Sequence, residues 1–370
     1  MQQKTLTVVI PTYNMEKYLR RCLDSLIVGE EQMAQLEALV VNDGSKDTSS
    51  AIAHEYEKKY PGTFHVIDKE NGNYGSCINR SLKEAKGKYI KVLDADDWFN
   101  TCNFKIYLNE LQNLDVDLII TNVETVSPEN KVLSRSNFKF KPHVVTTFED
   151  MMGYPQFKNM EMHAVTYKTQ NLIDINYKQT EGISYTDQEW MFLPMTAVNK
   201  VYYIDMVIYE YLLGREGQTC IAEVFKKSAI QLEKVINGMI DVLKVWNGKN
   251  KDYLYFRVYR KLVEQYGLSL VSKTGYGRDN ESLIAFDSML REKDISLYNA
   301  VASEKIHRRY NFLYIRWWRE HNHENIPARV MFWYRVVRKL GGCKAKIKKY
   351  LNRMIYVHQQ IPAHNPHNDL

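Results

Sequence analysis

The sequence predicts an α/β fold over its first part and a helical region after it. Over the first 125 residues, short β-branched runs alternate with segments of helical spacing, and polar clusters directly follow the runs. From about residue 222 to residue 325, apolar residues recur at helical spacing instead. Of the 370 residues, 45% are hydrophobic and 25% are charged, which is ordinary for a globular protein with a packed core.

The elements follow in order from these patterns. Five strands are expected at Thr7–Ile10, Leu39–Val41, His65–Ile67, Tyr89–Leu93 and Leu118–Ile120. Helices are expected at Tyr18–Leu26, Ile52–Tyr60, Gly75–Ala85 and Phe104–Leu111, with Gly87 ending the third. Strands joined by helices of this length form a largely parallel sheet with helices on both faces. Between Val123 and Gly214 we expect shorter strands and one helix, from about Asp187 to Met195.

Polar clusters occur at the ends of the first four strands. They are Pro11–Asn14, Asn42–Ser45, Asn71–Gly75 and Asp94–Asp97. In an open parallel sheet, ligands bind beyond the carboxyl ends of the strands, where the strand order reverses. We therefore expect the four loops to meet at one rim and to form the functional site.

The strongest chemical signal is a run of three carboxylates in four residues, Asp94-Ala95-Asp96-Asp97, directly after a strand. Carboxylates this close repel one another unless a cation lies among them. Mg²⁺ and Mn²⁺ prefer oxygen ligands and often bridge carboxylates to phosphate oxygens. The alternative is a solvated acidic turn in which Asp97 caps the next helix. On this stretch alone, both interpretations stay open.

Three ordered segments resemble a known family. They read VVIPTYN (8–14), VVNDGSKDTS (40–49) and AKGKYIKVLDADD (85–97). Together they resemble the family 2 glycosyltransferases, whose nucleotide-sugar-binding fold is called GT-A. The resemblance is close over residues 5–110 and weaker over 160–219. It implies a GT-A domain at 1–220, with a nucleotide-sugar-binding half (1–122) and an acceptor half (123–220). A helical region (221–325) and a basic aromatic tail (326–370) would follow.

The resemblance implies how a UDP-sugar donor would be bound. Pro11, Thr12 and Tyr13 would hold the uracil or the ribose. Asp43 would accept a hydrogen bond from the base, which agrees with the chemistry of an aspartate facing a uracil N–H. Asn71 would belong to a loop that touches the donor.

The resemblance also implies a divalent cation, Mn²⁺ or Mg²⁺. Asp94 would contact the ribose and the metal, and Asp96 would be the metal ligand, so that the cation neutralises a leaving diphosphate. His163 would contact the metal or the acceptor, although a lone histidine is more often structural. Residues 209–219 resemble a stretch frequent in bacterial members, and Arg215 within it would stabilise charge on the diphosphate. A surface loop arginine is the equal alternative.

One loop departs from the family pattern. Many members carry Arg-Asn near the start of the helix that follows the third strand, but here Ile78 replaces the arginine and Asn79 keeps the asparagine. Arg80 would point about 100° away from Asn79 if both lie on a helix. We therefore do not expect Arg80 to contact phosphate.

The catalytic base is expected in the segment GISYTDQEW (182–190), which resembles the family's helix start with Glu-Asp. Thr186 replaces the usual Glu, and Asp187 matches the Asp. An inverting transfer needs a carboxylate near the acceptor hydroxyl to take its proton. We prefer Asp187 over Glu189. The alternative is that Asp187 is an N-cap and Glu189 a first-turn acid.

The net charge of +6 belongs to the tail. Residues 325–368 contain nine Lys or Arg and no acid, so the rest of the chain carries −3. The aromatic and basic tail suits an interfacial helix on an anionic membrane, or a solvated basic helix. The near-neutral body argues against a nucleic-acid partner. Five scattered cysteines, no signal peptide and no long apolar run favour a cytoplasmic protein, peripheral on the inner membrane face if the tail binds lipid.

The leading interpretation is a metal-dependent glycosyltransferase. It would move a sugar from a UDP-sugar to a hydroxyl of a glycan or lipid-linked acceptor, with inversion, in bacterial exopolysaccharide, capsule or other surface glycan synthesis. One alternative is a sugar-nucleotide pyrophosphorylase, which would need a Gly-rich basic phosphate loop where Pro11–Asn14 stands. Another is a non-catalytic nucleotide-sugar-binding protein on the same fold, which the intact Asp94, Asp96 and Asp187 disfavour.

Overall fold

A computed structural model describes residues 4–215, 229–272 and 277–339. Residues 1–261 form one compact unit and residues 262–370 a second. The boundaries expected at residues 220 and 325 stay predictions. Cys220, Cys343, residues 216–219 of the arginine stretch and residues 340–370 of the tail lie outside the described residues.

The strands and helices of the first unit follow one another along the described chain. The strands are β1 (Lys4–Thr12), β2 (Leu36–Asn42), β3 (Phe64–Asp68), β4 (Gly87–Val92), β5 (Trp98–Phe99), β6 (Leu118–Val126), β7 (Val132–Arg135), β8 (Val145–Thr147), β9 (Val165–Lys168) and β10 (Lys200–Leu212). The α-helices are α1 (Leu19–Asp24), α2 (Glu30–Gln35), α3 (Ser49–Lys59), α4 (Asn73–Glu84), α5 (Thr101–Gln112), α6 (Phe148–Met152), α7 (Pro155–Lys158), α8 (Thr169–Asp174), α9 (Asp187–Trp190), α10 (Ala229–Val245) and α11 (Lys251–Leu270), the last of which continues into the second unit.

The strands form one mixed sheet in the order β3-β2-β1-β4-β9-β6-β10-β5, with β7 paired to β6 and β8 to β10. The first four strands are parallel neighbours. β9 then enters antiparallel between β4 and β6. The predicted α/β fold is confirmed. Its parallel pairs are those among β3, β2, β1 and β4, built by residues 4–92, and the pair of β6 with β10. The strand order reverses at β1, which lies between β2 and β4, so the loops after these strands meet there.

Burial explains why the first strands form the centre. All seven residues of β2 are buried, as are Val8, Val9 and Ile10 of β1. Strands that are buried on both faces read as continuous apolar runs, because helices cover both sides of a parallel sheet. The composition of these runs was therefore sufficient to predict them.

The second half of the first unit departs from expectation in two ways. β7, β8 and β9 have 4, 3 and 4 residues, as expected of short strands, but β10 has 13 residues. A register shift between Ile204 and Val207 breaks the alternation that would have revealed β10. The helix expected at 187–195 ends at Trp190 and is followed by a 3₁₀ helix, Leu193–Ala197. Pro194 lacks the N–H that a continuous helix would need there.

Gly87 is the first residue of β4 and does not end α4, whose last residue is Glu84, so its predicted role was wrong. A Cβ on Gly87 would lie 2.3 Å from the backbone nitrogen of Thr7 in β1. The glycine therefore permits close approach of two central strands.

We expect Gly87→Ala to lower the free energy of unfolding by about 1–3 kcal/mol, because backbone atoms must move to admit the methyl group. Urea denaturation of the full chain measures this change. Gly62→Ala is the matched control, since a Cβ there meets no atom within 4 Å, and it should stay within about 0.5 kcal/mol of the parent. Equal stability of the two variants would contradict the packing argument.

The described part of the second unit is helical, as predicted. Besides the end of α11, it contains α12 (Asn280–Lys293), α13 (Ile295–Val301), α14 (Tyr314–Glu320) and helical residues 328–339. A buried ion pair holds three of these helices together. The Arg319 guanidinium donates to Asp287 Oδ1 at 2.6 Å, and the Tyr266 hydroxyl donates to the same oxygen. None of the helices in the described ranges combines the length and apolar character needed to cross a bilayer.

Candidate active site

One cavity of about 230 Å³ brings together the residues predicted to bind the donor and the metal. It lies where the loops after β1, β2, β3 and β4 meet. Its lining includes all eight of those residues, Pro11, Thr12, Tyr13, Asp43, Asn71, Asp94, Asp96 and Arg215, together with Met15, Asn73, Tyr74, Cys77, Ala95 and Tyr211. The shared rim expected from topology therefore exists, while the role of each residue stays a prediction.

The first two loops are fastened to each other by backbone contacts. The Asp43 N–H donates to the Thr12 carbonyl at 2.8 Å, directly beyond the pairing of β1 with β2. Gly44 follows with φ of +72°, a left-handed conformation that favours glycine. A Cβ on Gly44 would lie 3.2 Å from the Asn71 backbone nitrogen, so the same glycine lets the third loop approach.

Asp43 is nearly buried and is held by groups from the loop after β3. Its Oδ1 accepts from Lys69 Nζ at 2.5 Å and from the Gly72 N–H at 2.9 Å. Lys69 Nζ also donates to Ser76 Oγ at 2.8 Å. Sequence reasoning missed Lys69. Its signal was a lone cation two residues before Asn71, which is too common on loops to single out.

The Asp97 side chain points into the protein interior, although Ala95 and Asp96, directly before it in the sequence, line the cavity. It is 1% exposed, and its two oxygens accept from the Tyr209 hydroxyl and the Leu212 N–H, each at 2.7 Å. Burial, followed by the charges of Asp96 and Asp94, raises the pKa of Asp97 well above its usual range. Asn100 caps α5 instead, by accepting from the Asn103 N–H. The alternative of an Asp97 cap in a solvated turn is therefore wrong, because Asp97 ties this turn to β10.

Asp96 and Asp94 face the cavity with different partners. Arg215 Nε donates to Asp96 Oδ2, and the Arg215 guanidinium lies 5.5 Å above the Tyr18 ring. Burial and the charge of Asp94 raise the pKa of Asp96, and the guanidinium opposes this shift. The Tyr74 hydroxyl donates to Asp94 Oδ1 at 2.8 Å.

The oxygen-rich set here suits a hard divalent cation. Among the described residues, Asp94, Asp97 and His163 each offer a ligand atom, and these atoms lie within 4.8 Å of one another. Asp97 is the weakest member, because both of its oxygens already accept hydrogen bonds from the protein. Asp94 and Asp96 are the carboxylates that line the cavity. The residues therefore fit Mn²⁺ or Mg²⁺, and Asp96 as the ligand stays a prediction.

His163 lies beside this acidic turn in an aromatic setting. Its ring centroid is 4.8 Å from that of Tyr209 and 4.9 Å from that of Tyr211, and its Nε2 is 3.7 Å from Asp94 Oδ2. Its carbonyl accepts from Lys91 Nζ at 2.8 Å. Lys91 is fully buried in β4, and burial lowers its pKa to about 7. Sequence reasoning missed this lysine, which holds the backbone at residue 163.

Asp187 and Glu189, the two candidates for the catalytic base, have different hydrogen-bond partners. Glu189 is occupied, because its two oxygens accept from the Thr180 N–H and the Thr180 hydroxyl, each at 2.7 Å. Asp187 Oδ2 accepts from Gln188 Nε2 at 2.7 Å. Thr186 takes the N-cap position, so the cap interpretation of Asp187 is wrong. Asp187 is not among the residues that line the cavity.

Residues 78–80, where the sequence departs from the family pattern, point in three different directions. Asn79 exchanges two hydrogen bonds of 2.8 Å with the backbone of Gln179, which connects the segment before α9 to α4. Arg80 points elsewhere and pairs with Glu84 at 2.7 Å. Ile78 is buried. The expectation that Arg80 turns away from Asn79 agrees with this arrangement.

Comparisons with known proteins agree with the fold and the motifs. Residues 7–174 match the family model described as glycosyl transferase family 2. An uncharacterized glycosyltransferase of Mycoplasma pneumoniae is 44% identical over 102 residues, which cover 27% of this chain and 34% of that protein. The minor teichoic acid biosynthesis protein GgaB of Bacillus subtilis is 25% identical over 293 residues, covering 77% of this chain and 32% of that protein. The chain thus spans about a third of the length of these curated relatives.

A solved structure shares the fold. It is S. aureus TarS, residues 1–349, in complex with UDP-GlcNAc, with a TM-score of 0.56 and 19% identity over 80% of this chain and 89% of that one. Identity this low supports the fold alone, which is the GT-A fold that the motifs predict. Together with this shared fold, the family-model match shows that residues 7–174 are similar to glycosyltransferase family 2.

Proposed function

We propose that this protein transfers a sugar from a UDP-sugar to an acceptor hydroxyl, with inversion at the anomeric carbon. The observation that carries the proposal is one cavity lined by all eight predicted residues, two from the acidic turn and six from other loops. TarS, which shares the fold, binds UDP-GlcNAc, and this supports a UDP-sugar as the donor class.

The chemistry of the cavity supports binding of the nucleotide. Lys69 and Gly72 both donate to Asp43 Oδ1, so Oδ2 is the oxygen available to accept from a uracil N–H. Tyr13 is 46% exposed at the cavity edge, where its ring can stack on a flat base. Asn71 is held against the Asp43 carbonyl at 3.0 Å, which keeps the two loops together under the nucleotide.

The acidic turn, through a bound cation, and Arg215 would stabilise the negative charge of the diphosphate. A divalent cation held by Asp96, with Asp94 beside it, would offset the negative charge that develops on the leaving group. Arg215 already lies against Asp96 and supplies a second positive group at the same place. Asp96 therefore has a counter-charge in the protein itself.

Asp187 would act as the general base. Its carboxylate would accept the proton of the acceptor hydroxyl as that oxygen attacks the anomeric carbon from the side opposite the diphosphate. Glu189 is a poor candidate because both of its oxygens hold Thr180. A pyrophosphorylase is disfavoured because no Gly-rich basic loop follows β1, and a non-catalytic binding role is disfavoured because the cavity and the carboxylates are intact.

A donor screen tests the proposal. Purified protein is incubated with UDP- and GDP-sugars, with Mn²⁺, Mg²⁺ or EDTA, and hydrolysis and thermal shift are measured. We expect at least one UDP-sugar to be hydrolysed in a Mn²⁺-dependent manner and UDP itself to stabilise the protein. A response to GDP-sugars alone, or none to any nucleotide, would contradict the proposed donor.

We also propose a role in bacterial surface glycan synthesis at the inner face of the membrane. The alignment with GgaB, a teichoic acid biosynthesis protein, supports a glycan or lipid-linked acceptor. The helix at residues 328–339 supports contact with anionic lipid. Phe332 and Trp333 are 58% and 55% exposed on it, while Val330 is buried. The exposed cations Arg329, Arg335, Arg338 and Lys339 flank the two aromatics.

This arrangement has the composition of an interfacial helix, in which aromatics enter the headgroup layer and cations meet anionic lipid. We expect the full chain to sediment with vesicles rich in phosphatidylglycerol and not with pure phosphatidylcholine. Phe332→Ser with Trp333→Ser should reduce the bound fraction about tenfold. Tyr255→Ser, which removes an exposed aromatic from another helix, should not. Binding to RNA with no preference for anionic vesicles would contradict a lipid partner.

A further inference from the structure

The proposed base is linked to a buried arginine outside the segment that matches the family. Asp187 Oδ2 accepts from Gln188 Nε2 at 2.7 Å, and Gln188 Oε1 accepts from Arg257 Nη2 at 3.2 Å. Arg257 lies on α11 and is 9% exposed. Its Nη1 also donates to the carbonyl of Met160 at 3.0 Å, so the guanidinium is held from a second side.

Chemistry settles the orientation of the Gln188 amide. A carboxylate has no proton to donate and a guanidinium has no lone pair to accept with. Only one orientation therefore satisfies both neighbours, with the NH₂ group toward Asp187 and the oxygen toward Arg257. The chain of donors runs in one direction, from Arg257 through Gln188 to Asp187.

We propose that Arg257, acting through Gln188, is a positioning residue for Asp187 that holds the carboxylate in one orientation and in its ionised form. This inference rests on the proposed function, in which Asp187 is the general base. Hydrogen bonds donated to a carboxylate favour its charged form. An amide polarised by a cation donates more strongly than a free amide.

The other titratable groups that face Asp187 cannot replace this support. Tyr74 and Tyr177 interact with its charge, but burial raises the pKa of each well above the usual range, so both are neutral. Glu189 is the third such group; it is a carboxyl group whose own pKa is raised by burial, and it offers Asp187 no positive charge. Arg257 is the cation that the hydrogen bonds connect to Asp187.

The test uses Gln188→Met, which removes the link and leaves the contact of Arg257 with the Met160 carbonyl intact. On the UDP-sugar with the highest rate in the donor screen, we expect kcat to fall about tenfold or more with little change in KM. The acidic limb of the kcat–pH profile should move to higher pH, because the unsupported carboxylate protonates more readily. Gln170→Met is the matched control, since Gln170 Nε2 makes the same 2.7 Å bond to Asp174 away from the cavity.

Arg257 variants complete the design. Arg257→Met should reproduce the pH shift, Arg257→Lys should restore part of it, and the double variant should add little to Gln188→Met, because both act on one chain. If Arg257→Met does not fold, Gln188→Met still decides the matter. If Asp187→Asn is inactive but the acidic limb of the kcat–pH profile does not move in Gln188→Met, the positioning role of Arg257 is overturned. Asp187 would then still be the proposed base. An active Asp187→Asn would instead overturn the proposed base, and the inference with it.

Discussion

Asp187→Asn should lower the rate of sugar transfer by about 10²–10⁴-fold while nucleotide binding survives. The amide cannot take the proton of the attacking hydroxyl, but it has nearly the shape of the carboxylate. Asp187 does not line the nucleotide cavity, so the affinity for UDP should change little. The rate of transfer or hydrolysis is measured from the release of UDP. The affinity for UDP is measured by isothermal titration calorimetry.

Asp174→Asn is the control for this variant. Asp174 accepts a hydrogen bond from the Gln170 amide, as Asp187 does from Gln188, but it lies on α8 and is exposed. It should keep the parental rate. If Asp187→Asn turns over as fast as Asp174→Asn, another group must take the proton, and Glu189 would have to release Thr180 to do so.

Asp96→Asn should remove the stimulation of activity by Mn²⁺ and lower kcat/KM by about 10²–10³-fold. The variant loses the carboxylate proposed to hold the cation and also the negative charge that pairs with Arg215. The charge of the leaving diphosphate would then be less well offset. Rates are measured over a Mn²⁺ titration, with UDP binding recorded at saturating Mn²⁺.

Glu70→Gln serves as the control, because Glu70 is an exposed acid on the neighbouring loop. It should respond to Mn²⁺ as the parent does. The same stimulation in Asp96→Asn would show that the metal is held elsewhere. The group formed by Asp94, Asp97 and His163 would then be the next candidate.

Much of the nucleotide half could be predicted from the sequence, because its information is local. The β-branched runs of β1, β2 and β4 are buried on both faces, so composition alone marks them as central strands. Parallel strands direct their carboxyl ends to the same edge. Polar clusters after those strands, such as Asn42–Ser45 and Asp94–Asp97, must therefore share one rim, and the cavity contains residues from each of them.

The sequence by itself determined the fold class, the edge of the sheet that carries the site and eight of the fourteen residues that line the cavity. Only the tertiary structure decided which of several acids close in sequence are free to act in the site and which are held by other parts of the protein. Asp97 turns inward because Leu212, 115 residues away, donates to it, and Glu189 is occupied by Thr180. Arg257 reaches Gln188 across 69 residues. Such contacts depend on where distant segments meet in space, which local spacing and composition do not encode.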